Sequence, residues 1–197
     1  MKNSIEIEVK CKIADNIERI RELLGEPIEV VKEVDYYFNS PVRDFSKSDE
    51  ALRVRVSISQ EEGKRVEITY KGPKIDSITK SREEITIELS KNASEATAMM
   101  LLEKLGFRLV GIVEKTREIY IGDSKMKIYL DNVSGIINGI RIHLGYFIEV
   151  EIIGVHSHEN IKKVLNQVRD LGCSEIIRES YLELLMEAVE KVTNLGE

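Results

Sequence analysis

Residues 5–13 read IEIEVKCKI, with Glu6, Glu8, Lys10 and Lys12 at every second position and Ile5, Ile7, Val9, Cys11 and Ile13 between them. A period of two puts the apolar residues on one face of an extended strand and the charges on the other. The fold turns on which way the charged face looks. For one strand alone, an antiparallel sheet with a solvated face satisfies the pattern. A sheet that curls with its charges inward satisfies it too, and encloses a charged, wet interior.

The rest of the chain favours the second arrangement. Strand-like runs fall at VVKEVDYYF (30–38), ALRVRVSI (51–58), KRVEITYKG (64–72), SREEITIEL (81–89), GIVEKTREIY (111–120), KMKIYLDNV (125–133) and YFIEVEII (146–153). Turn chemistry such as EEGK (61–64) and KGPK (71–74) separates several of them. Their charges are sorted by sign. Glu6 and Glu8 form an acidic pair, as do Glu149 and Glu151, whereas Arg53 with Arg55 and Lys115 with Arg117 form basic pairs. A solvated face usually mixes signs, because like charges side by side repel.

Helical segments supply the direction. DNIERIRELLG at 15–25 reads as an amphipathic helix with Asp15 as N-cap and Gly25 at its end. The sequence strand, polar turn, helix, Leu-Gly returns at 83–106 and again at 147–172, and SYLELLMEAVEKV (180–192) closes the chain. Each apolar helix stripe must be buried, and the apolar strand faces are the available partners. The charged faces are then left to look at one another. We therefore predict one α+β domain over residues 1–197, a closed antiparallel β-barrel of about eight strands with helices packed outside. Its lumen is lined by Glu, Lys and Arg, and holds water, metal ions and a polyanion, because unpaired buried charge is prohibitively costly.

Composition bounds the alternatives. A chain of 197 residues with 42% apolar residues can bury a sizeable core, and its formal charge of −6 argues against a general nucleic-acid binder. Cys11 and Cys173 are too few and too far apart in sequence for a disulfide framework or a zinc site, so a reducing cytoplasm is expected, with Cys11 a small packed side chain. Neither a signal peptide nor a membrane span is expected. His143, His156 and His158 read as surface residues. Tyr36, Tyr37 and Phe38 read as strand core, and MMLLEKL (99–105) as a helix core stripe. Lys12 shares the inward face of the first strand but sits at its margin.

Two carboxylates at i, i+2 on a strand point the same way and suit a hard, oxygen-seeking cation such as Mg²⁺ or Mn²⁺. Arg and Lys converging from several strands suit an oligophosphate, which Arg grips with two parallel N–H donors. There is no Gly-rich Walker loop, so side chains would hold the phosphates.

These residues resemble a known family. EIEVK (6–10) is similar to the ExExK signature of the CYTH, or triphosphate tunnel metalloenzyme, superfamily. DYYF (35–38), ALRVR (51–55), TYKGP (69–73), SREE (81–84), EKTR (114–117), YLDNV (129–133), FIEVE (147–151) and SYLELL (180–185) follow in family order. The EKTR, YLDNV and SYLELL stretches look most like class IV adenylyl cyclases and their archaeal relatives. The resemblance implies metal binding by Glu6, Glu8, Asp131, Glu149 and Glu151. It implies triphosphate binding by Lys10, Arg53, Arg55, Lys71, Arg82, Lys115 and Arg117, with catalytic parts for Lys10 and Glu84.

Three activities follow as expectations. The first is a Mg²⁺- or Mn²⁺-dependent cyclase converting ATP to cyclic AMP and pyrophosphate. The second is a triphosphatase acting on inorganic triphosphate, thiamine triphosphate or a nucleotide, and the third a non-catalytic polyphosphate or nucleotide binder. Cyclase relatives also imply a homodimer, with no nucleic-acid or membrane partner. The chain departs from the family between its D-x-V and F-x-E-x-E segments. There SGIINGIRIHLGY (134–146) replaces a very short turn, and an extended hairpin at the tunnel mouth is expected.

Overall fold

A computed structural model describes residues 5–13, 17–75, 79, 81–90, 92–123, 126–173 and 175–194, the side chains of Ile5 and Glu6 excepted. The elements run β1 (Ile5–Ile13), α1 (Ile17–Leu24), β2 (Glu29–Asn39), β3 (Ala51–Ser59), β4 (Gly63–Lys71), β5 (Arg82–Glu88) and α2 (Glu95–Lys104). They continue as β6 (Arg108–Ile121), β7 (Lys127–Ile137), β8 (Ile140–Gly154), α3 (His158–Asp170), β9 (Ile176–Ile177) and α4 (Tyr181–Asn194). The expected α+β class and the duplicated strand–helix units are present. The predicted N-cap Asp15 lies outside the described residues; Gly25 ends α1 with φ +76° and donates its N–H to the Arg21 carbonyl at 2.8 Å.

All nine strands join one antiparallel sheet in the order β5-β4-β3-β2-β6-β7-β8-β1-β9. The sheet curls far enough for its distant strands to meet, since β1 also registers with β5 through Ile5↔Glu83 and Glu6↔Arg82. That corner spans two positions, whereas β1 and β8 run in register from Ile5↔Gly154 to Ile13↔Tyr146. The architecture is thus a large curled antiparallel sheet with α1, α2 and α3 outside it and α4 against its inner face. A barrel closed along its length, as expected from the sequence, is not what the pairing shows.

Of three apolar clusters, the two under α3 and α2 lie on the outer face of the curl. The third lies on its inner face, because Val113, Val133 and Phe147 share the strand face of Lys115, Asp131 and Glu149. The last helix, α4, therefore packs inside the curl and not outside it as expected. Ile7, Val9 and Cys11 of β1 pack with Ile148 and Val150 of β8 under Ile161, Val164 and Val168 of α3. Val54, Val56 and Val66 pack under Ala98 and Leu102 of α2. Met100, Leu101 and Leu105 of that helix point to solvent, so the predicted core stripe at 99–105 is only partly buried. The third cluster seats α4, whose Tyr181, Leu185 and Val189 cover Val113, Val133, Ile137 and Leu144. The helix comes close because Gly135 leaves it room; a Cβ there would meet Leu185 and lie 2.7 Å from the Ile112 carbonyl oxygen.

The interval 134–146 does form an extended hairpin, turned by Asn138 and Gly139 with φ +50° and +78°. Positive φ at both central residues matches the right-handed strand twist. Its apolar residues Ile137, Ile140, Ile142 and Leu144 build the seat of α4, and none of residues 134–146 lines the cavity described below. The extra length thus holds a helix whose first residue, Tyr181, lines the cavity.

Cys11 and Cys173 are joined in a disulfide with their Cα atoms 6.2 Å apart. Separation in sequence misled here. β9, just after Cys173, pairs with β1 through Cys11↔Ile176 and brings the two sulfurs together. Among the described residues no helix is long and apolar enough to cross a membrane.

Candidate active site

The inner face of the curl encloses a cavity of about 780 Å³, and each of the eight long strands contributes side chains to it. Glu8 comes from β1, Glu33 from β2, Arg53 and Arg55 from β3, and Lys71 from β4. Arg82 and Glu84 come from β5, Lys115 and Arg117 from β6, Tyr129 from β7, and Glu149 and Glu151 from β8. Ten of the thirteen residues singled out by sequence thus share one wall. Lys10 and Asp131 are fully buried beneath it, and the Glu6 side chain lies outside the described residues.

Strand register explains how so much charge fits. Antiparallel neighbours place opposite signs at facing positions: Asp35↔Arg55, Glu33↔Lys115, Arg117↔Asp131, Lys71↔Glu84 and Lys10↔Glu149. Directly opposed residues on one face lie close enough to interact, and here most of them bond. Arg55 donates from Nε and Nη2 to the two Asp35 oxygens at 2.6 and 2.7 Å. Arg117 does the same to Asp131 at 2.7 and 2.6 Å, and its Nη2 reaches Glu149 Oε2 at 2.5 Å. The Lys115 ammonium sits 2.9 Å from Glu33, and Lys71 sits 2.8 Å from Glu84. Arg53 is held more loosely, 3.6 Å from Asp35 and 3.8 Å from Glu84, and its buried Nε has no hydrogen-bond partner.

Two facing pairs break the rule: Glu67 of β4 stands opposite Glu88 of β5, and a second pair lies deeper. Glu8 of β1 stands opposite Glu151 of β8, acid against acid. Burial and then the charge of Glu8 push the Glu151 carboxyl above its ordinary pKa. The opposite holds on β2. Burial pushes the Glu33 carboxyl up, but Arg55, Lys115 and Arg117 outweigh it and hold it at about 2. Asp35 is held well below the carboxylate range because Arg55, Arg53 and Lys115 likewise overcome its burial. The Lys115 ammonium is pushed down by burial and by the neighbouring Arg117 and Arg55 charges.

Sequence reading missed four members of the site. Glu33 and Asp35 form an acidic pair at i, i+2 inside VVKEVDYYF, the same signal that marked the other strands. Tyr37, taken as core, continues their inward row and lines the cavity. Tyr181 opens α4, is buried, and donates its hydroxyl to Asp131 Oδ2 at 2.8 Å. Its ring lies 4.2 Å beneath the Lys10 ammonium, which also donates to the Glu179 carbonyl. Lys10 is thereby directed at the segment leading into α4. Lys12 lies outside the cavity, with its ammonium 5.8 Å over Phe147; His143 and His158 are exposed.

Carboxylate oxygens at Glu8 and Glu151 are suitable donors for a hard divalent cation, which would relieve their repulsion. Asp131 is already committed to Arg117 and Tyr181. Among the described residues no group of three or more His, Cys, Asp or Glu is gathered as a cation site.

The family model described as the CYTH domain matches residues 4–185 of this chain. The chain belongs to the CYTH family. It is 36% identical over 188 residues to a Methanocaldococcus jannaschii protein named "Putative adenylate cyclase", covering 91% of this chain and 98% of that protein. A solved Pyrococcus horikoshii structure superposes with a TM-score of 0.80 at 38% identity, over 93% of this chain and 99% of that one. A Hippeastrum structure, described as an adenylyl cyclase candidate with dominant triphosphatase activity, shares the fold at 17% identity and a TM-score of 0.62, over 94% and 96% of the two chains. CYTH membership accounts for the ordered motifs along residues 4–185.

Proposed function

We propose that this CYTH protein is a divalent-metal-dependent enzyme that acts on a triphosphate held in the cavity, most like a class IV adenylyl cyclase. One observation carries the reading: six cations, Arg53, Arg55, Lys71, Arg82, Lys115 and Arg117, line the same cavity as the facing acids Glu8 and Glu151. A polyanion and a cation are the two ligands such a wall accommodates together. In the proposed reaction the 3′-hydroxyl of ATP attacks the α-phosphorus and pyrophosphate leaves. Arg53 has an unpartnered Nε and only long ion-pair contacts, so it can turn its donors to a phosphate with little lost. Arg55 and Arg117, fixed by two-pronged bonds to Asp35 and Asp131, present their charge without needing to reorient as the leaving group becomes more negative. Glu8 and Glu151 would hold Mg²⁺ or Mn²⁺, which supplies further charge stabilisation to the phosphates.

The same cradle would serve attack by water on the terminal phosphorus, giving a triphosphatase; both reactions need the same cations. Incubating purified protein with ATP, thiamine triphosphate or inorganic triphosphate, each with Mg²⁺ or Mn²⁺, separates the two. Cyclic AMP with pyrophosphate supports the cyclase reading, and orthophosphate supports hydrolysis. Tight binding without turnover makes the protein a binder and overturns the enzymatic reading.

A further inference from the structure

The two acids on β2 face the same cations but are built differently. Asp35 is completely buried, does not line the cavity, and is locked to Arg55 by two short, aligned bonds. Glu33 lies one inward position further along, lines the cavity, and touches its cations less well. Its Oε2 is 2.9 Å from Lys115 and 3.3 Å from Arg55, yet makes no hydrogen bond of acceptable geometry with either. An anchoring carboxylate would resemble Asp35. A carboxylate oxygen placed between two ammonium and guanidinium groups at the cavity wall, without aligned bonds, occupies the place an anionic oxygen of a ligand would take.

We infer that Glu33 is a resident anion that balances Lys115 and Arg55 while the cradle is empty and competes with the phosphates of the substrate for them. It is a specificity-determining residue: it weakens oligophosphate binding and so sets how much negative charge a ligand must carry to be retained. This rests on the triphosphate reading of the same cavity. Without Glu33 the unliganded wall carries excess positive charge, which costs stability, and a phosphate group then gains what the carboxylate held. The two effects have opposite signs. A side chain that merely propped Lys115 in place would lose affinity on removal.

The test is calorimetric titration of tripolyphosphate and of pyrophosphate into wild type and Glu33→Gln, in buffer with chelator, so that no metal contributes. One unit charge within a few ångströms of the ligand, at an effective dielectric of about 20, corresponds to tenfold or more in affinity. Glu33→Gln is therefore expected to bind tripolyphosphate at least about tenfold tighter than wild type, and to retain pyrophosphate better as well. Circular dichroism and a thermal melt confirm that the variant is folded, and Glu33→Ala repeats the measurement should Gln distort the wall. Unchanged or weaker binding by folded variants overturns the inference and leaves the triphosphate reading standing. Wild-type protein that binds tripolyphosphate neither in chelator nor with Mg²⁺ overturns both; if it binds only with Mg²⁺, the variants are compared there.

Discussion

Replacing Asp131 by Asn separates two roles that one carboxylate could play. Family resemblance assigns Asp131 to a metal, whereas the structure engages it with Arg117 at 2.7 and 2.6 Å and with the Tyr181 hydroxyl at 2.8 Å. Asn keeps the shape but offers one acceptor oxygen and sets an NH₂ against donors. Removing one partner of a buried ion pair costs about 3–5 kcal/mol. Arg117 retains Glu149 at 2.5 Å, which places the expected loss at the lower end of that range, about 3 kcal/mol. For a chain of this length each kcal/mol shifts the melting point by about 2–4 °C, so Asp131→Asn should melt about 6–12 °C lower. Tyr181→Phe, which deletes only the hydroxyl, should cost about 1 kcal/mol. The assay is differential scanning calorimetry in chelator, repeated with Mn²⁺. A structural Asp131 lowers the melting point already in chelator. A carboxylate that serves only a metal leaves that value unchanged and abolishes the rise on adding Mn²⁺. Asp131→Asn melting together with wild type in chelator would refute the anchoring argument.

Two further perturbations follow from the same geometry. The Cys11–Cys173 bond spans 162 residues, for which the loop-entropy model gives a ceiling of about 5 kcal/mol. Cys173→Ser, or reduction under denaturing conditions followed by refolding, should lower the melting point; a non-reduced intact mass equal to that of the dithiol would show that the bond is not formed. Glu33 and Asp35 carry depressed pKa values, so the stability they contribute is fully present above the ordinary carboxylate range and is lost as pH falls through their folded values. The melting point should therefore decline between about pH 4.5 and pH 2, where Glu33 takes its proton, and decline less steeply in Glu33→Gln. A flat profile across that window would count against the buried ion pairs.

The inward row of each strand was legible because a strand repeats every two residues and the acids and bases were sorted by sign. What was not legible depended on which strands are neighbours. Glu33 and Asp35 carry the i, i+2 signal as plainly as Glu6 and Glu8, but β2 lies between β3 and β6, one of them distant in sequence. Only that order shows that an acidic pair is wedged between Arg55 on one side and Lys115 on the other. Tyr181 opens a helix whose visible pattern is its apolar stripe, and its contact with Asp131 crosses 50 residues. Cys11 and Cys173 looked isolated for the same reason. The 134–146 insertion was read as a hairpin, but its part as a helix seat was not legible: its alternating isoleucines meet α4 only in the folded sheet, and Gly135 is what lets the helix approach them.

A charged interior is ordinarily an obstacle to folding, and facing register is how this chain meets it. When Arg117 comes opposite Asp131 and Arg55 opposite Asp35, strand pairing and charge neutralisation occur together. The sheet can therefore form with no ligand present. A one-residue slip would turn these side chains to the outer face and bury the aliphatic row in their place, so the ion pairs also oppose misregister. Glu8 against Glu151 is one position where register works against stability, and Arg53 is a cation with only long ion-pair contacts. Repulsion between these acids and a loosely held guanidinium, in one cavity, are features that a cation and a phosphate would complete under the triphosphate proposal. Paired charges make the fold possible, and the proposed triphosphate and cation sites fall where pairing is weakest around Arg53, Glu8 and Glu151.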